Sequence, residues 1–295
     1  MGKLKKSLFI FYCLMLLLAG LPAGQSLLAQ EVRLDVPFVP TPYEVIEDML
    51  RFADLKKGDI LYDLGCGDGR IVIEAARRAG IRAVGIDIDP ERIRESRENA
   101  RIAGVENLVE FRQANIFEAD FSEATVVTMY LLPDVNIRLR PTILKLRPGT
   151  RIVSHQFDMD EWQADRMTYV SVDLYPHTVF LWIVPANISG IWDWSLNLNQ
   201  KKTDCRLEVN QAYQFFTGKL YLGEQFIDIP ETRVEGPKVE FSVILPGTAE
   251  TELVFSGQAD GEQITGTATL VQGKKNARQT WKAVRRPGTA GSIER

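Results

Sequence analysis

Up to about residue 184, apolar residues recur at helical spacing and in short solid runs by turns, the alternation expected of an α/β sheet. Val45, Ile46, Met49, Leu50 and Ala53 give a helix starting near Tyr43 its apolar face, and residues 60–64 read as a buried strand. Ile71, Val72, Ala75, Ala76 and Ala79 mark the next helix, and a second apolar strand ends at Asp87. Asp89 as N-cap and Pro90 at the first turn launch a charged helix through Ala103, which Gly104 stops. Strands follow at 108–112, 125–133 and 152–157, with a helix carrying Ile137, Leu139, Ile143, Leu144 and Leu146 between the last two. Residues 167–174 and 178–184 predict a hairpin turning at Tyr175-Pro176-His177. Beyond Pro185 the helical period disappears. Short alternating strands at 189–198, 205–211, 213–222, 239–245, 251–256, 263–270 and 279–284 predict a smaller antiparallel all-β barrel or sandwich. The expected organisation is an α/β domain over 30–185, an all-β domain over 186–286 and a frayed tail at 287–295.

Residues 1–29 stand apart from both patterns. Lys3, Lys5 and Lys6 precede an apolar run over 8–19 and a small-residue stretch ending at Ala29, the layout of a secretory signal peptide. An uncleaved anchor is the competing reading, although the run is shorter than the roughly 20 residues that a spanning helix needs. Either way the body of the protein is expected outside the cytoplasm, with membrane association possible through 1–29. The formal charge is −4, and without those three lysines it is −7, so a nucleic-acid partner is not expected. Three cysteines, Cys13, Cys66 and Cys205, lie too far apart in pattern to suggest a disulfide framework.

The chemistry concentrates at Asp63-Leu64-Gly65-Cys66-Gly67-Asp68-Gly69-Arg70, a strand that ends at a carboxylate and turns through three glycines into a helix. Glycines let a ligand approach the backbone, and the free N–H groups of the helix start attract electron-rich atoms. A dinucleotide fingerprint would place its third glycine one residue later, and Asp63 would repel a pyrophosphate. A carboxylate here suits a ligand that presents an ammonium group, such as the methionine part of S-adenosylmethionine (SAM). A strand-end Asp capping its own turn is the plainer alternative.

The run from Asp63 to Gly69 resembles the first motif of class I SAM-dependent methyltransferases, and Asp87 follows at the distance expected of a ribose-binding acid. The resemblance implies a seven-stranded Rossmann-like sheet with SAM as cofactor. It implies a cofactor site made by Asp63, Gly65, Cys66, Gly67, Asp68 and Gly69, by Asp87 and Ile88, and by Asn115 and Ile116. Asn115 stands where the family usually carries an acid for the adenine amino group. Thr41 and Tyr43, after the stiff Phe38-Val39-Pro40 segment, become candidates for a lid over the cofactor. Tyr130, at the end of the fourth strand, would face the transferable methyl, or be a core tyrosine with a satisfied hydroxyl. Asp134 is the candidate carboxylate for orienting the acceptor. His155 invites a catalytic role or is a hydrogen-bonded core residue.

Over residues 37–160 the chain also resembles bacterial relatives of the ATP synthase c-subunit lysine methyltransferase family, which implies methyl transfer to a protein lysine. Two other functions stay open, a small-molecule O-, N- or S-methyltransferase and a non-catalytic exported binding protein. Gly190-Ile191-Trp192 and Trp281 to Arg286 resemble lipocalin-like barrels, where Arg285 would lie over Trp192.

Overall fold

A computed structural model of the chain describes residues 36–198, 200–247 and 251–294. The leader-like stretch over 1–29 lies outside them. Five parallel strands, β1 (Ile60–Leu64), β2 (Arg82–Asp87), β3 (Val109–Gln113), β4 (Val126–Met129) and β5 (Arg151–His155), form the middle of the first sheet. Its order is β3-β2-β1-β4-β5-β7-β6, with β7 (Tyr175–Ile183) antiparallel to both β5 and β6 (Arg166–Val172). Among the described residues the helices are α1 (Tyr43–Ala53), α2 (Arg70–Ala79), α3 (Pro90–Ala103) and α4 (Pro133–Ile143).

Both faces of the central strands are covered, which is why they carry solid apolar runs. Leu61, Ala83, Val126 and Val153 face one core with Val45, Ile46 and Met49 of α1 and Val72 of α2. Tyr62, Val84, Val127 and Ile152 face the other with Leu139 and Ile143 of α4, Trp162 and Trp182. β1 has β2 on one side and β4 on the other, so the chain reverses its direction of travel across the sheet there. Crossovers leaving in opposite directions open a crevice beyond the C-terminal ends of these strands.

The hairpin turns earlier than expected. Asp173 and Leu174 hold it with φ of 47° and 69°, the left-handed pair of a two-residue turn, and Tyr175, Pro176 and His177 belong to β7. Proline is tolerated there because β5 has already ended, its last residue His155 pairing with Val179. This shift places His177 within reach of His155.

The second half is a closed barrel in the order β10-β11-β12-β13-β14-β15-β8-β9. Its strands are β8 (Gly190–Leu198), β9 (Lys201–Ala212), β10 (Phe215–Leu222), β11 (Gln225–Glu235), β12 (Lys238–Ile244), β13 (Thr251–Asp260), β14 (Gln263–Gln272) and β15 (Lys275–Arg285). Trp194, Phe216, Phe241, Phe255 and Trp281 fill the interior, with Phe241 and Phe255 stacked at 4.6 Å. Arg285 lies 4.6 Å from the Trp192 ring, as the barrel resemblance implies. The sequence reading misses β11 because Pro230 interrupts a polar stretch. The structure absorbs that proline at a register break against β10, between the pairs Ile229–Gly218 and Thr232–Phe216.

Sheet and barrel share a buried joint. Tyr213 stacks on Trp162 at 6.2 Å, with an interplanar angle of 10°, and the Arg140 guanidinium sits 5.4 Å from the Tyr213 ring. Gln214 Nε2 donates to the Gln163 carbonyl at 2.7 Å, and Asp165 pairs with Arg233. The expected frayed tail is docked instead. Tyr213 N–H donates to the Ile293 carbonyl, the Ile293 side chain is buried, and Glu294 pairs with Arg140 at 2.9 Å. The apolar Ile293 and the countercharge on buried Arg140 outweigh the polar composition that suggested fraying.

Candidate active site

A crevice opens beyond the C-terminal ends of β1, β2 and β4. Its floor is the glycine turn. Gly65 and Cys66 N–H both donate to the Ile86 carbonyl, at 2.8 and 3.0 Å, which ties the turn to the end of β2. Gly67 N–H donates to Asp87 Oδ2 at 2.8 Å, and Asp89 N–H to Asp87 Oδ1 at 3.0 Å. Gly67 sits at φ 54°, and a Cβ there would stand 2.4 Å from the Phe38 ring. That close approach is what lets residues 36–41 cross the mouth of the crevice, where the Arg92 guanidinium lies 4.8 Å from the Phe38 ring.

Of the residues singled out from sequence, Thr41, Asp63, Gly65, Cys66, Gly67, Asp68, Asp87, Ile88, Asn115, Ile116 and Tyr130 all line this crevice. Three do not. Tyr43 is 58% exposed on α1, its ring 5.4 Å from the Arg70 guanidinium. Gly69 caps α2 at φ 81° and packs against Phe111 and Ser96. Asp134 is exposed on the first turn of α4, because that helix turns Val135, Leu139 and Ile143 inward. Phe38, Leu131 and Val135 line the crevice without having been singled out, since an apolar side chain beside a turn carries no chemical signature in sequence; Arg92, also in the lining, is one of many arginines on a charged helix and nothing in sequence sets it apart.

Asp63 is the electrostatic centre. It is 2% exposed and accepts a 2.7 Å hydrogen bond from Thr128 Oγ1. Burial first, then the Asp87 and Asp68 carboxylates, push its pKa up to about 7. Asp68 is instead paired with Arg70 at 2.6 Å, and Arg70 Nη1 donates to the Thr41 carbonyl. Burial pushes the Cys66 thiol well up, so it stays protonated and inert. Asn115 Oδ1 accepts from Phe117 N–H at 3.1 Å, which uses one of its two lone pairs.

At the far wall Tyr130 lies over His155, ring centroids 3.9 Å apart. His155 is fully buried, with Nδ1 3.2 Å from Thr41 Oγ1 and Nε2 2.9 Å from His177 Nδ1. Burial, and then His177, hold its pKa down at about 3.

Among the described residues Asp63 has no cationic partner. A buried carboxylate of this kind, next to an acid at the end of β2 and a glycine turn that exposes backbone, fits a ligand that has an ammonium group and a ribose. With the strand order above, it defines a class I SAM-dependent methyltransferase. Residues 63–166 match the family model described as the ANTKMT methyltransferase domain. A relative from Saccharolobus islandicus named protein-lysine N-methyltransferase is 47% identical over 151 residues, half of this chain and 94% of the relative. The mouse protein named adenine nucleotide translocase lysine N-methyltransferase is 31% identical over 134 residues, 45% of this chain and 58% of that protein. A solved structure titled RNA methyltransferase from Salinibacter ruber, in complex with S-adenosyl-L-homocysteine, is 56% identical with a TM-score of 0.48, over 51% of this chain and 96% of that one. The chain belongs to the methyltransferase family that the ANTKMT domain defines.

Proposed function

We propose that the chain transfers the methyl group of SAM to the side-chain amine of a protein lysine. The 47% identity to the Saccharolobus protein-lysine N-methyltransferase, nearly end to end on that relative, supports this most directly. In this reading Asp87 accepts from the ribose hydroxyls and Asp63 faces the ammonium of the methionine part. Ile88 and Ile116 hold the adenine with Asn115, and Tyr130 and Leu131 stand at the transferable methyl. Bound SAM supplies an electrophilic methyl carbon on a sulfonium. The chain supplies alignment of an in-line displacement and exclusion of water by the Phe38 segment. An acidic chain with an acid-lined crevice is poorly suited to gather a polyanion, so a protein acceptor is preferred over RNA.

Calorimetry on the full chain is expected to give micromolar SAM binding, about −8 kcal/mol, weakened at least 100-fold in Asp87→Ala. With tritiated SAM, label should enter a lysine-containing protein or peptide and not its Lys→Arg counterpart. Label entering an RNA transcript or a small-molecule alcohol or thiol instead would replace the lysine reading.

The basic start and apolar run of residues 1–29 support a second part of this proposal, that the body of the protein works outside the cytoplasm. Fractionation of cells expressing the full chain is expected to recover it with extracytoplasmic markers. Recovery in the cytosol alone would remove export from the reading.

A further inference from the structure

Amine methylation releases a proton, and a pocket closed by cofactor and acceptor gives that proton no water to enter. One chain of groups runs from the wall of the crevice to the molecular surface. Thr41, fixed by Arg70 through its backbone carbonyl, lines the crevice beside Tyr130, and both residues rest on His155. His155 meets His177, which is half-buried on β7.

We propose that Thr41, His155 and His177 form a proton relay that carries the acceptor's proton from the crevice to solvent while the pocket is closed. This rests on the amine acceptor proposed above.

The hydrogen bonds are satisfied in two proton arrangements. In the first, Thr41 O–H donates to His155 Nδ1, and His155 Nε2–H donates to His177 Nδ1. A proton passing from the amine to Thr41 Oγ1 displaces the hydroxyl proton to His155 Nδ1. The Nε2 proton of His155 then moves to His177 Nδ1, and His177 releases its own Nε2 proton to water. One proton enters and one leaves. The second arrangement results, with His177 Nδ1–H donating to His155 Nε2 and His155 Nδ1–H donating to Thr41. When product has gone, the reverse passage delivers a proton to water in the open crevice and restores the first arrangement.

The surroundings of His155 favour relaying over storing a proton. A buried imidazole whose pKa is held near 3 is not a standing base, yet as a neutral ring it passes a proton in concert without ever carrying charge. Among the described residues, the end of β4 presents Tyr130 to the relay and β6 presents Val170 opposite His177. Arg70, paired with Asp68, reaches only the Thr41 carbonyl. No carboxylate among the described residues is hydrogen-bonded to either histidine, so the exit step falls to His177 and water.

The test is the pH profile of kcat on a lysine substrate for the full chain and for Thr41→Val, Thr41→Ser and His177→Phe. Thr41→Val and His177→Phe are expected to lose about tenfold at pH 7 and less than twofold near pH 10, where the amine sheds its proton unaided. Their acid limbs should move up by about one pH unit, with SAM affinity unchanged in His177→Phe, and Thr41→Ser should behave as wild type. An active wild type with unchanged variants overturns the relay alone, as does a loss equal at every pH, which is the mark of a packing role. A wild type that methylates no amine removes the proton in question and overturns both proposals together.

Discussion

Replacing Asp63 by Asn is expected to stabilise the free protein at pH 8 while abolishing cofactor binding. In the folded chain its pKa stands at about 7, against 3.8 for the free side chain, because burial and the Asp87 and Asp68 carboxylates oppose ionisation. A folded pKa above the unfolded one gives stability that is fully present below pH 4 and is lost as pH rises to about 7. Above that the cost is constant, with a ceiling of about 4 kcal/mol for a shift of roughly three units. The Asn amide retains an acceptor for Thr128 Oγ1 but brings a buried donor whose desolvation costs on the order of 1–2 kcal/mol. The net gain should therefore be about 2 kcal/mol at pH 8 and absent or reversed at pH 4.5. Thermal melts at the two pH values read this directly, and an equal shift at both would sink the electrostatic account. SAM affinity at pH 8 should fall by at least 100-fold in the same variant. In the unmodified protein it should weaken up to tenfold per unit as pH falls below 7, since a protonated Asp63 no longer attracts an ammonium.

The second large effect is expected from Tyr213→Ala. The ring is 4% exposed between Trp162, 6.2 Å away, and the Arg140 guanidinium. Removing a buried aromatic side chain of this kind costs about 3–5 kcal/mol. Here the loss falls on the joint, where Tyr213 packs into the sheet core that holds Trp162 and Trp182, and leaves the barrel core intact. Scanning calorimetry of the full chain should change from one cooperative transition to two, with the lower one well below the original midpoint. A single transition shifted by a degree or two would mean that Asp165–Arg233 and the backbone bonds carry the joint without Tyr213.

The catalytic half was legible in sequence because its signals are local. A glycine turn between a solid apolar run and a helical period needs no distant partner to be recognised, and Asp63 and Asp87 each close a strand whose place in the sheet follows from topology. What sequence did not show depends on contacts far apart in the chain. Phe38 reaches the site only because Gly67 lacks a Cβ, 29 residues on. His177 faces His155 only because the turn forms at Asp173-Leu174, where Leu174 does not advertise a left-handed conformation as glycine or asparagine would. Asp134 misled for the opposite reason. An acid one residue after a strand-end Pro looks poised over the site, but the buried face of α4 decides its direction.

The joint between the two halves also bears on how the chain arose. Half of this sequence covers 94% of the Saccharolobus relative, which leaves that protein no counterpart for the barrel. A methyltransferase domain of this family therefore stands without the addition, whereas here Trp162, Tyr213 and Arg140 bury one another across the boundary. Once a side chain such as Trp162 has become fully covered, loss of the barrel would leave a large apolar face in water. An appendage acquired as optional would in this way become irreversible, retained by the penalty for its removal whether or not it ever took part in the chemistry.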